Sequence, residues 1–202
     1  VEASASHLSG ARMGDLYSLS FDAWTDGMTG VDSTALYALS ALSFMARTGA
    51  TSEDFARIAV RNRAHAQENS FAHLPLDISA SDVAASPLIA SPYRRLDCSP
   101  LSDGAACIIL ARATDLPKAD RPRARFRGIG CATDTVRLGE RQDAGRFAGK
   151  ALAAARAYAM AGITPGDINL AEVYDSYSGA QLQAIEALGL VDDVIRAERE
   201  NV

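Results

Sequence analysis

The densest run of reactive side chains is Tyr174-Asp-Ser-Tyr177, a polar stretch rich in hydroxyls. Before it, Ile168-Asn-Leu-Ala-Glu-Val173 alternates apolar and polar residues, which predicts a strand with one buried face. After it, Gly179 to Leu188 predicts a helix, with Leu182, Ile185 and Leu188 spaced three apart and Gly189 placed as its stop. A strand that feeds a helix through a short polar turn is where open α/β folds commonly expose reactive groups. The other reactive types are scattered. Cys98, Cys107 and Cys131 form no CxxC pair, and His7, His65 and His73 have no metal-ligand spacing. No metal site is expected, and a reducing, cytoplasmic setting is.

The elements that must carry this turn are legible in outline. Asp32-Ser33 is placed to cap a helix running to about Arg47, with Leu36, Leu39 and Leu42 or Phe44 on its apolar side and Gly49 as its end. Thr51 caps a second helix, with Asp54 completing an approximate capping box. Its apolar face carries Phe55, Ile58, Ala59, Asn62 and Ala66. The opposite face carries Arg57, Arg61, Arg63 and His65, read as solvated, with contact to an acidic ligand or partner as the alternative. Residues 70–104 are broken by Pro75, Pro87, Pro92 and Pro100, leave room for a short helix within Ile78–Ala85, and close on an Asp103-Gly104 turn.

Ala105–Ala111 then reads as a short buried strand, in which Cys107 packs the core, as Cys131 does further on. Thr114 to Pro122 is a polar linker. Arg125–Gly130 alternates as a strand, and an alanine-rich helix from Phe147 to Ala161 ends at Gly162, its small side chains suited to close packing on a sheet. From Ala105 the order is strand, strand, helix, strand, helix, which predicts an α/β sheet with covering helices. Two units follow, residues 1–112 and 123–202. The opening Val1-Glu-Ala-Ser reads as the end of a strand, so an internal fragment is expected. The charged tail, Val191–Val202, is open to three readings: a helix, an altered end or a frayed terminus.

At 202 residues, with 48% hydrophobic and 22% charged residues, the chain has the make-up of a globular domain that buries a real core. A net charge of −5 argues against nucleic acid as its main partner. No apolar run approaches the roughly 18 residues of a membrane span.

Several segments, in this order, resemble the thiolase superfamily, and within it the sterol-carrier-protein-x type. Ala35 to Asn69, which includes Gly49-Ala-Thr-Ser-Glu-Asp-Phe55, looks like the family's helical insertion, the loop domain. Asp97-Cys-Ser-Pro-Leu-Ser-Asp-Gly-Ala-Ala106 is similar to the signature entering the last strand of its N-terminal half. Ala161-Gly-Ile-Thr-Pro-Gly-Asp-Ile168 and Glu172-Val-Tyr-Asp-Ser-Tyr177 resemble the approach to, and the core of, its Asn-Glu-Ala-Phe or His-Asp-Cys-Phe motif. The resemblance implies an α/β thiolase-like fold of two similar βαβαβαββ halves in five layers. This chain would hold the end of the first half, with a loop domain over about residues 10–95, and the start of the second from 123.

The family makes or breaks a carbon–carbon bond beside a CoA thioester, with CoA a substrate and not a resident cofactor. An acetyl-CoA acetyltransferase-like activity, acyl-CoA as ligand and a homo-oligomeric full-length form are implied. Ser99 matches the serine that lies against the pantetheine arm, where a hydroxyl bonds an amide. Tyr174 stands where the family has the Asn or His of an oxyanion hole, and a phenol there can donate to an oxyanion or move a proton. Asp175 would orient that phenol or cap the following helix, and Tyr177 replaces a packing Phe. Cys98 matches a family cysteine that is not the nucleophile. The nucleophilic cysteine segment, the Gly-His-Pro motif and the late Cys-x-Gly motif are absent from these residues. Two alternatives follow. One is a thiolase-like retro-aldolase of β-hydroxyacyl-CoA steroid side chains, which uses tyrosines and a small OB-fold partner protein. The other is an inactive thiolase-like fragment.

Overall fold

A computed structural model describes residues 2–3, 16–100, 102, 105–115 and 123–200. The Asp103-Gly104 turn and the linker residues 116–122 lie outside the described residues. Two long helices open the fold, α1 (Ser33–Thr48) and α2 (Ser52–Gln67). Their ends follow the local signals. The Asp32 carboxylate accepts from the Ala35 N–H at 2.8 Å, and Gly49 takes the left-handed conformation at the far end. Thr51 and Asp54 form a reciprocal capping box on α2. A short helix α3 (Ala80–Ala85), capped by Ser79, leads into the hairpin of β2 (Leu88–Ala90) and β3 (Tyr93–Arg94). Further along the chain come α4 (Ala148–Ala161), α5 (Ser178–Leu188) and α6 (Val194–Glu200). The charged tail is therefore helical through Glu200. Among the described residues no helix is long and apolar enough to cross a membrane.

The core sits where α1, α2 and α5 meet over the hairpin. Phe44, Phe55, Ile58, Tyr93 and Leu182 are fully buried there, and each apolar side chain of this size contributes about 1.5–3 kcal/mol on burial. One expectation about α1 is corrected. The helix turns Ala38, Ala41 and Phe44 inward, while Leu39 and Leu42 stay 52% and 43% exposed. At 100° per residue, the stripe through Ala38, Ala41 and Phe44 leaves both leucines on the flank, and the small residues are what let α5 approach.

Three expected strands are also corrected. Of Ala105–Ala111 only Ala105–Ala106 is a strand (β4), paired antiparallel with β1 (Glu2–Ala3). Residues 125–130 and 168–173 are in neither sheet. A strand is completed by ladder partners across from it, and these segments do not pair with one another. Ile108, Ile109, Leu110, Phe126, Ile129 and Leu170 are consequently between 69% and 91% exposed. Cys107 and Cys131 lie on such segments and are exposed, not packed in a core.

The 125–130 segment instead runs along α4. A side chain on Gly128 or Gly130 would overlap the α4 backbone at Ala157 and Ala153, so glycine is required for this approach. Arg127 donates to the Ala161 carbonyl at 3.1 Å, and Arg156 donates to that of Cys131. The alanines of α4 thus pack closely, as their size allows, against an extended segment. The helix is held to α5 by the Tyr158 hydroxyl, which donates to the Leu188 carbonyl at 3.0 Å.

Candidate functional site

The polar turn before α5 is pinned by a crossing strand segment. Cys98 and Tyr177 form an isolated antiparallel bridge, and the Ser99 N–H donates to the Ser176 carbonyl at 2.9 Å. Two of the segments singled out from sequence therefore touch. Tyr177 packs: its ring lies 4.8 Å from that of Tyr37 and stacks on Tyr93 at 5.0 Å. Its hydroxyl meets the Thr34 hydroxyl at 2.9 Å. Burial, then the neighbouring Tyr174 and Tyr177, pushes the Tyr37 phenol above its ordinary range.

Asp175 does not cap α5. The capping position is Tyr177, without a side-chain bond. The half-buried carboxylate instead accepts from the Asn62 amide on α2 at 3.2 Å, and the same nitrogen donates to Gln181 Oε1 at 2.7 Å. Burial raises the Asp175 carboxyl, opposed by hydrogen bonding and by the charge of Lys150. Lys150, with its ammonium 4.9 Å above the Phe147 ring, is lowered by burial and raised in turn by Asp175.

A residue missed from sequence stands at the start of α5. Asp97 is buried, accepting from the Ser178 hydroxyl at 2.7 Å and from the Arg94 N–H at 2.9 Å. Its carboxyl is raised by burial and lies at the end of the helix that favours negative charge. The signal was an aspartate heading the Asp97-Cys-Ser-Pro run, whose partner lies 81 residues away.

Beside this crossing lies a cleft of about 220 Å³. Ser99 and Asp175 both line it, together with Asn62, Arg63, His73, Cys98 and a wall of small apolar residues including Ala59, Ala66, Ala72 and Leu74. Ser99 is exposed, and its hydroxyl has no partner among the described residues. Tyr174 is 74% exposed and adjoins the cleft through Asp175 without lining it. Arg63 donates to the carbonyls of Leu74 at 3.4 Å and Cys98 at 3.3 Å, bracing the cleft wall. The solvated reading of this α2 face holds for Arg57 and His65, which are exposed, and is corrected for the other two: Arg63 faces this wall, and Arg61 pairs with Glu198 of α6 at 2.8 Å. The Cys98 thiol donates to the Arg94 carbonyl at 3.3 Å. Burial and the charge of Asp97 push it up to about 11, so at neutral pH it is a protonated thiol and a poor nucleophile. The arrangement offers a partly apolar cleft with an exposed hydroxyl in its lining, and a carboxylate beside an exposed phenol.

Residues 130–194 match the family described as thiolase C-terminal domain-like. The acetyl-CoA acetyltransferase of Methanothermobacter thermautotrophicus is 38% identical over 173 residues, which is 83% of this chain and 44% of that protein. The 17-hydroxy-3-oxo-4-pregnene-20-carboxyl-CoA lyase of Mycobacterium tuberculosis is 32% identical over 80% of this chain and 46% of its own length. Among solved structures, the Ltp2-ChsH2(DUF35) aldolase superposes with a TM-score of 0.69 at 27% identity, over 82% of this chain and 45% of that one. The chain spans less than half the length of each of these relatives. With the helical segment, the Ser99 crossing and the Tyr174 turn in the order described, these likenesses place the chain in the thiolase superfamily.

Proposed function

We propose that this chain supplies the acyl-CoA cleft of a thiolase-like enzyme, one that makes or breaks a carbon–carbon bond beside a CoA thioester. The observation that carries the reading is the meeting of Ser99 and Asp175 in one cleft beside the Tyr174 turn. In this reading Ser99 bonds a pantetheine amide, and Tyr174 donates to the oxygen that gains charge. The family's Gly-His-Pro and Cys-x-Gly motifs are not among these residues, so this chain assayed alone shows no acetoacetyl-CoA thiolysis. Acetyl-CoA, titrated calorimetrically into the chain, is expected to bind. Ser99→Ala weakens that binding about fivefold, the worth of one neutral hydrogen bond of about 1 kcal/mol. Absence of acetyl-CoA binding to the unsubstituted chain sinks the reading.

The second reading, retro-aldol cleavage of a β-hydroxyacyl-CoA, is favoured by the tyrosine at 174 and by the likeness to the lyase and the aldolase. Tyr174→Phe, made in the longest protein the reading frame encodes, separates the two. Loss of about 10²-fold or more in β-hydroxyacyl-CoA cleavage supports the aldolase. Unchanged turnover with both substrates removes the phenol from either mechanism. A homo-oligomeric full-length form belongs to both readings. A small OB-fold partner belongs to the second, and the Ltp2-ChsH2(DUF35) aldolase is named with a DUF35 component.

A further inference from the structure

The Asn62 side chain stands at the junction of three parts of the site. It is on α2, it lines the cleft, and its amide nitrogen holds Asp175 at 3.2 Å and Gln181 at 2.7 Å. Both N–H bonds of that amide are therefore committed, one to the turn that bears Tyr174 and one to α5. This fixes the amide plane, because a rotation of the side chain breaks two bonds at once. Asp175 has no helix-capping bond to hold it, so the clasp from α2 is its hydrogen-bond anchor to another element. Tyr174 does not line the cleft, while Asn62 and Asp175 do. A ligand in the cleft consequently meets the clasp directly, with Tyr174 next to Asp175 in the chain just outside the lining.

We infer that Asn62 is a positioning residue that couples occupancy of the Ser99 cleft to the placement of the Tyr174–Asp175 turn. The occupant is the acyl-CoA thioester of the proposed function, on which this inference rests. Lys150 of α4 supplies the opposing charge to Asp175. Arg63, His73 and Asp97 are the other charged or titratable groups lining the cleft with Cys98. Loss of the Asn62 bond removes a donor that favours the charged carboxylate, so the Asp175 carboxyl titrates at higher pH without it.

The test uses the whole chain with carbon-13 labels on the aspartate carboxyls and tyrosine rings, and the near-isosteric Asn62→Leu variant. A second variant, Gln181→Met, lies outside the cleft lining and frees the amide from its other partner. In the ligand-free chain, Asn62→Leu is expected to move the Asp175 titration upward, and Gln181→Met to move it in the same direction by less. On addition of acetyl-CoA, the Tyr174 ring signal moves in the unsubstituted chain and stays still in Asn62→Leu, even when the variant is saturated. An unmoved Asp175 titration in folded Asn62→Leu overturns the inference, as does a Tyr174 response equal to that of the unsubstituted chain. The ligand-free titration does not depend on acetyl-CoA. Failure of the unsubstituted chain to bind it therefore counts against the proposed function, while the clasp is judged on the titration alone.

Discussion

Arg199→Ala lowers the urea midpoint at neutral pH, because it leaves a buried carboxylate without its charged partner. The Arg199 guanidinium grips Asp54 with two bonds, of 2.9 and 2.8 Å, and donates to the Gly49 carbonyl at 3.1 Å. Asp54 is 1% exposed, so without Arg199 its charge is buried with only the Thr51 cap to satisfy it. Arg199 itself is 45% exposed, and the solvent that reaches it makes the loss smaller than for a pair buried on both sides. The pair also docks α6, whose Val194 and Ile195 are buried on the core.

The same contact fixes a pH dependence. Arg199 and Thr51 hold the Asp54 carboxyl down to about 2, against an ordinary value of 3.8. A depressed carboxyl stabilises the fold at every pH above its unfolded value, and that contribution drains away as pH falls from 3.8 through about 2. The total at stake is about 2 kcal/mol. Urea midpoints measured from pH 7 to 2 are expected to fall more steeply below pH 4 in the unsubstituted chain than in Arg199→Ala. Parallel curves would show that Asp54 gains nothing from the pair.

Gly179→Ala has a comparable effect with the opposite lesson about helices. Alanine in place of glycine within a helix is worth about 1 kcal/mol in its favour. At this position, however, a Cβ would lie 2.7 Å from the Tyr93 hydroxyl and 2.8 Å from Phe55 Cζ. Overpacking of this kind costs about 1–3 kcal/mol, and here the upper end applies because both neighbours are buried aromatic rings. The net expectation is a loss of about 2 kcal/mol, read as a lowered thermal midpoint. Tyr93→Phe partly rescues it. The Tyr93 hydroxyl is buried without a hydrogen-bond partner, so its removal relieves an unsatisfied group worth about 1 kcal/mol and opens room for the new methyl. Tyr93→Phe alone therefore raises the midpoint. A gain from Tyr93→Phe no larger in the Gly179→Ala background than in the unsubstituted chain would place the clash on Phe55 alone.

What was legible in the sequence was whatever depends on near neighbours in the chain. Asp32, the Thr51–Asp54 box and the stops at Gly49, Gly162 and Gly189 act over a few residues, and each lies where its type predicts. The strands were not legible in the same way, because alternation describes a face and says nothing about whether a partner pairs with it. Ile168–Val173 has the pattern of a strand and no ladder. The leucines at 39 and 42 misled for a related reason: apolarity was visible, while the closeness of α5 that selects Ala38 and Ala41 was not. At the site, Ser99 and the Tyr174 turn were found through their local motifs. Asn62, 113 residues before Asp175, and Asp97 take their roles only from the folded chain.

The unpaired extended segments have a consequence for the protein in solution. Cys107-Ile-Ile-Leu110 combines β-branched, uncharged residues with an open backbone edge, the make-up that templates cross-β stacking between molecules. The arginines at 112, 123, 125 and 127 flank or interrupt the apolar stretches. They act as gatekeepers by like-charge repulsion, which salt screens. Concentrated, high-salt solutions of this chain therefore favour aggregation, and dilute, low-salt ones keep it dispersed.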